Sequence, residues 1–218
     1  METNNNMAIQ MAAFLLQIKA IKLNNEHPFT WASGRKSPIY CDNRITLSYP
    51  EIRTFIRQSF VEVINENWSS VDVIAGVATG GIAQGALVAQ ELGKPFVYVR
   101  SEAKSHGLTN QIEGEIHEGQ SVVVIEDLVS TGKSSLIAVH ALRDKGCDVK
   151  GMAAIFTYGL DVAAKNFADA KVELHTLTNY DTLIDVAAKE EYIHASEQES
   201  LANRRLNPEA WSDAHMNN

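Results

Sequence analysis

A chain of 218 residues with 45% hydrophobic content is long enough to bury one sizeable core. Its net charge of −8 excludes a broad nucleic-acid footprint and any pull towards an anionic membrane surface. Its two cysteines, Cys41 and Cys147, form no spacing motif, and such sparse use suits a reducing compartment, the cytoplasm.

The N-terminal stretch METNNNMAIQMAAFLL lacks a basic leader, and Gln10 interrupts its short apolar run. It reads as an amphipathic helix rather than a signal peptide. No run is long enough to cross a bilayer. Residues 1–45 precede the repeating pattern and are expected to form a small N-terminal hood.

Apolar, β-branched runs follow at VDVIAGV (71–77), PFVYVR (95–100), SVVVIED (121–127), VKGMAAIFTY (149–158) and VELHTLTN (172–179). Helical periodicity separates them over 82–93, 134–146 and 161–168. Alternation of strand and helix predicts an α/β fold with an open, mainly parallel sheet flanked by helices. The whole chain, 1–218, reads as a single domain: the hood, an α/β core over 70–180, and C-terminal helices with a tail over 181–218. The segment 101–118, SEAKSHGLTNQIEGEIHE, is polar, glycine-dotted and too long for an ordinary connection, so it reads as a lid or a disordered insertion. Ser196-x-x-Glu199 has the pattern of a capping box and predicts one more helix.

In an open parallel sheet, ligands bind beyond the carboxyl ends of the strands. Three loops meet there, and the most telling is VVVIEDLVSTGKSS (122–135). Gly132-Lys133-Ser134 would close a Walker A loop, but Asp127, preceded by Glu126, stands where the first glycine is needed. A P-loop ATPase or kinase is therefore disfavoured. Hydroxyls and backbone N–H groups at a helix start suit a phosphate monoester. Two carboxylates just upstream accept hydrogen bonds from a pair of sugar hydroxyls. Together they describe a site for a ribose 5-phosphate.

This stretch resembles the phosphoribosyl-diphosphate (PRPP) motif of type I phosphoribosyltransferases. FTWASGRKSPIYCDNR (29–44) is similar to the N-terminal substrate segment of the orotate phosphoribosyltransferases, and VRSEAKSHG (99–107) to their mobile catalytic loop. The resemblance implies transfer of phosphoribosyl from PRPP to orotate, a step of pyrimidine synthesis, with Mg²⁺ held mainly by substrate and water. PRPP would lie on Arg100, Lys104, His106, Glu126, Asp127, Leu128, Val129, Ser130, Thr131, Gly132, Lys133 and Ser134. Lys104, His106 and Asp127 would be catalytic. Ser33, Lys36, Tyr40 and Ser130 would face orotate, with Tyr40 stacking on the ring and backbone N–H groups of 33–36 meeting its carboxylate and imide edge. The resemblance also implies a homodimer in which loop 101–118 reaches the neighbouring site, with no nucleic-acid or membrane partner.

The residues support that chemistry independently. Arg100, Lys104 and His106 bring cations to a polar loop, where departing pyrophosphate needs neutralising. A closing loop also excludes water from a cation-like ribosyl centre. The glycine-rich turn GVATGGIAQGA (76–86) either approaches the pyrophosphate or serves tight strand–helix packing. The chain departs from the family's common pattern at Ala32, Thr79, Gly80 and Ser101. It also lacks an arginine near Tyr158 that some members aim at orotate. The alternatives are a phosphoribosyltransferase acting on a purine base and a non-catalytic PRPP sensor.

Overall fold

A computed structural model of the chain describes residues 5–31, 34–101 and 111–215. In chain order these form α1 (Asn5–Gln17), β1 (Ile21–Leu23), β2 (Phe29–Thr30), β3 (Lys36–Ser37), β4 (Ile39–Cys41) and a 3₁₀ segment (Asn43–Ser48). Then come α2 (Pro50–Asn67), β5 (Val73–Val77), α3 (Gly80–Leu92), β6 (Phe96–Val99), β7 (Ile112–Glu113), β8 (Ser121–Val129) and α4 (Lys133–Asp144). The chain closes with β9 (Asp148–Thr157), α5 (Asp161–Asp169), β10 (Glu173–Asn179), α6 (Tyr180–Lys189), α7 (Gln198–Leu206) and α8 (Pro208–Ala214).

Among the described residues the main sheet has six strands in the order β10-β9-β8-β5-β6-β7. Every pair is parallel except β6–β7. The strand order reverses beside β5 and β8, which places the mouth of the sheet's central crevice at their carboxyl ends. This is the expected α/β class.

Side-chain alternation along the strands divides the core into two layers. Ile74, Val123, Ile125, Ala153, Ile155 and Leu177 face α1, α2, α3 and α6. Val73, Ala75, Val122, Val124, Met152 and Ala154 face α4 and α5, which contribute Leu136, Val139, Leu142, Ala163 and Phe167. Helix α2 was not among the expected elements, although its signal is ordinary. Pro50 opens it, and Ile52, Ile56, Phe60 and Val63 recur at helical spacing and are buried.

Four expectations are corrected. Helix α1 is not part of a hood: Met11, Ala12, Leu15 and Leu16 lie in the first core layer with Leu183 and Ile184 of α6. What remains above the sheet is a pair of antiparallel ribbons, β1–β4 and β2–β3. In the segment 101–118, Ile112 and Glu113 pair with Val99 and Tyr98 as an edge strand, so that part is sheet rather than lid. The capping box does not form. Ser196 lies in a 3₁₀ turn, α7 has no side-chain cap, and Glu197 instead accepts the His194 N–H at 2.9 Å. Nor does one helix close the chain but two, because Pro208 opens a new helix that Asn207 caps through the Ala210 N–H.

The two C-terminal helices dock on the ribbons. The Lys36 N–H donates to Ser212 Oγ at 3.0 Å, and Arg35 pairs with Glu209 at 2.6 Å. Both partners of the ion pair are exposed, so it contributes little beyond orientation.

Candidate active site

Strand β8 carries the acid pair. It runs to Val129, two residues further than expected, so Glu126 to Val129 are strand residues. Glu126 is buried. Its Oε1 accepts the Asp127 N–H and its Oε2 accepts the Ser135 hydroxyl, both at 2.9 Å. These bonds do not offset the loss of water. Burial, helped by the neighbouring Asp127 charge, pushes the Glu126 carboxyl up to about 8. Asp127 is half-buried, and its carboxylate fills the space beside Gly80 at the start of α3. Its carbonyl accepts the side-chain N–H of Asn43 at 2.6 Å, which joins the segment after β4 to the acid pair.

The glycines of 76–86 serve packing. A Cβ on Gly81 would overlap the Ile125 carbonyl, and one on Gly85 would meet the Phe96 ring at 2.8 Å. At Gly80, a Cβ would overlap the Asp127 carboxylate.

Beyond β8 the chain turns through Ser130 and Thr131 to Gly132, which takes a left-handed conformation at φ +77. A Cβ there would meet the Phe167 ring at 2.6 Å, so glycine is required twice over. Asn166 fixes the turn by donating to the Thr131 carbonyl at 2.9 Å. Gly132 caps α4 without a side-chain hydrogen bond, which leaves the first N–H groups of α4 facing outward with Lys133 and Ser134 exposed. Leu128 borders a cavity, whereas Val129 is wholly buried in the core and its carbonyl is bound to the Tyr158 N–H. Val129 therefore cannot offer its side chain to a ligand.

Two cavities sharing Trp31 and Ser130 lie between the ribbons and this loop. One, of about 310 Å³, is lined by Thr30, Trp31, Tyr40, Cys41, Leu128, Ser130 and Tyr158. The other, of about 430 Å³, is lined by Trp31, Arg35, Lys36, Ser130, Thr131, Leu160, Arg204 and Pro208. Tyr40 and Lys36 thus reach the same region as Ser130. A larger cavity of about 490 Å³ lies against β10, around Glu173 and His175, and takes in none of the expected site residues.

The expected backbone donors of 33–36 are partly spent. The Gly34 N–H donates to the Trp31 carbonyl at 2.8 Å, and the Lys36 N–H to Ser212. Arg100 follows the end of β6, where its guanidinium pairs with Glu113 at 3.7 Å. Ser33, Lys104 and His106 lie outside the described residues.

A family model, the phosphoribosyl transferase domain, matches residues 47–191. The orotate phosphoribosyltransferase of Phocaeicola vulgatus is 58% identical over 90% of this chain and 93% of its own. That of Listeria innocua is 55% identical over 93% of this chain and 97% of its own. The chain belongs to the orotate phosphoribosyltransferase family. Among solved structures, the orotate phosphoribosyltransferase of Aeropyrum pernix superposes with a TM-score of 0.73 at 30% identity, covering 84% of this chain and 99% of that one. Leishmania donovani UMP synthase gives 0.74 at 27% identity, with 90% of this chain matching 41% of the larger protein.

Within this orotate phosphoribosyltransferase chain, sequence reasoning missed three residues. Trp31 lay inside the quoted substrate segment but was not singled out. Asn43 was within two residues of its end. Arg204, in α7, carried no local signal: its hydrogen bond to Ser37 Oγ, at 3.1 Å, spans most of the chain.

Proposed function

We infer that the chain transfers the 5-phosphoribosyl group of PRPP to N1 of orotate, releasing pyrophosphate and forming orotidine 5'-monophosphate. One observation carries the reading for this site. A carboxylate pair, the uncapped start of α4 and a partly apolar cavity all meet at the carboxyl end of β8. The 5-phosphate sits on 130–134, where hydroxyls and α4 N–H groups converge. The ribose 2- and 3-hydroxyls donate to Glu126 and Asp127, fixing the ring for attack. Leu128 contributes by packing and Val129 only by holding the backbone.

Orotate lies between the ribbons and Ser130, against Tyr40 and Trp31, with Lys36 nearby. The bond from C1 to the pyrophosphate oxygen breaks as the bond from N1 to C1 forms; N1 gives up its proton and enters with the electron pair, and the oxygen leaves with its electrons and is left to take up a proton. Arg100 and Lys104 neutralise that oxygen, and Lys104 or His106 protonates it. No covalent intermediate with the protein is required.

The donors present fit a magnesium ion that arrives with its substrate. Asp127 offers hard oxygens at the start of α3, beside the diol site. Held there, Mg²⁺ would supply charge neutralisation for the diphosphate. We further propose a homodimer in which loop 101–118 completes the neighbouring site, and a cytoplasmic location. The membership in the family and the two sparse thiols support these readings. No helix among the described residues is long and apolar enough to cross a membrane.

The test is incubation with PRPP, Mg²⁺ and one base at a time, following pyrophosphate release. Orotate should be consumed, while adenine and hypoxanthine should give only background. Comparable release with a purine would assign the chain to another substrate.

A further inference from the structure

Arg204 is a buried cation without an acidic partner among the described residues. It is 2% exposed, and among the described residues it makes no ion pair. Nη2 donates to Ser37 Oγ at 3.1 Å, but Nε and Nη1 meet no acceptor. The rings of Trp31, Tyr158 and Tyr180 surround the guanidinium at 5.0, 5.2 and 5.8 Å from their centroids. Cation–π contacts offset part of the cost of burial, yet a guanidinium with idle N–H groups in an apolar cage still lacks its strongest kind of partner. Arg204 also lines the 430 Å³ cavity with Trp31, Lys36, Ser130 and Thr131.

We propose that Arg204 recognises the carboxylate of the pyrimidine substrate, pairing with it through its free guanidinium N–H groups and so selecting orotate over neutral pyrimidines. The proposal rests on the reading that orotate occupies this pocket. The planar fork suits a carboxylate bidentately, and the aromatic cage fixes its plane before the ligand arrives. Helix α7 thereby supplies from the C-terminus a cation that strand β9, with Tyr158 just beyond its end, does not provide. Trp31 would both cover the guanidinium and border the ring site, linking anion recognition to stacking.

A purely structural role for Arg204 is the competing account, and the two separate in kinetics. Arg204→Met should raise the KM for orotate about 30-fold, as expected for losing a charge-assisted pair. The KM for PRPP should move less than about two-fold by the same arithmetic. Uracil, which lacks the carboxylate, should compete with orotate far better in the variant than in the wild type. Equal shifts in both KM values, or an unchanged preference for orotate over uracil, would overturn the proposal. If circular dichroism shows Arg204→Met unfolded, Arg204→Lys keeps a cation in the cage without the fork. It should raise the orotate KM about ten-fold; a wild-type value there would sink the idea. A wild-type enzyme that does not turn over orotate at all would instead defeat the substrate reading on which the proposal stands.

Discussion

The carboxylate of Asp127 occupies the space that a side chain on Gly80 would need. The end of β8 and the start of α3 are thus fitted to each other at one of the acids expected to hold the ribose. Gly80→Ala should force Asp127 to turn away. Small misplacements of a positioning group cost about 100-fold in rate, so kcat should fall by that order. Alanine is the better helix former by about 1 kcal/mol, so stability should not fall in parallel. Steady-state kinetics beside a thermal melt checks this, and a fully active Gly80→Ala enzyme would mean that the Asp127 position is not critical.

Glu126 makes stability depend on pH. Burial holds its folded value near 8 against 4.5 for the free group, so the folded state binds a proton that the unfolded state has already lost. That contribution is fully present below about 4.5 and is lost as pH rises towards 8. The melting temperature should therefore fall across this window, and Glu126→Gln should flatten the decline. Ribose hydroxyls donating to the pair favour the ionised form, so PRPP binding near neutral pH should release protons. Calorimetry in buffers of different ionisation enthalpy measures that release.

The fold was legible because its signals are local. Runs such as VDVIAGV and SVVVIED announce buried strands, and the acid pair with STGKS announces a sugar-phosphate site. What stayed hidden depends on distance or competition. Arg204 meets Ser37 only because α7 folds back over the ribbons. The Lys36 N–H, free of any local partner in the sequence, donates to Ser212 of a distant helix. Val129 lies within the loop-like motif yet continues β8, since pairing with Thr157 outweighed the turn signal after it. Ser196 had the right spacing for a capping box, but Glu197 turned back to His194 instead.

Asn43 ties the chain beyond β4 to the acid pair. It is buried, donates to the Asp127 carbonyl at 2.6 Å and accepts from Cys41 Sγ at 3.2 Å. Asn43→Ala would remove the donor from a part-buried carbonyl, at a cost of about 2 kcal/mol. For a chain of this size that corresponds to a fall of roughly 4–8 °C in melting temperature. Asn43→Asp should be worse, because it places a second carboxylate beside Asp127. Differential scanning calorimetry of both variants ranks them, and the reverse order would show that charge does not govern this contact.

The proposed dimer yields a test that involves no structural measurement of the loop. If loop 101–118 serves the neighbouring subunit, each site combines Glu126 and Asp127 of one chain with Lys104 of the other. Asp127→Asn should depress turnover far more than orotate binding, since it touches the sugar rather than the base, and Lys104→Ala should also be inactive. When the two mutant proteins exchange subunits in equal amounts, half the dimers are mixed, and each mixed dimer holds one intact site of two. Activity should return to about a quarter of wild type by that symmetry. If the loop serves its own chain, every site in the mixed dimer still lacks one group and nothing returns. With subunit exchange confirmed by native mass spectrometry, an absence of recovery assigns the loop to its own subunit.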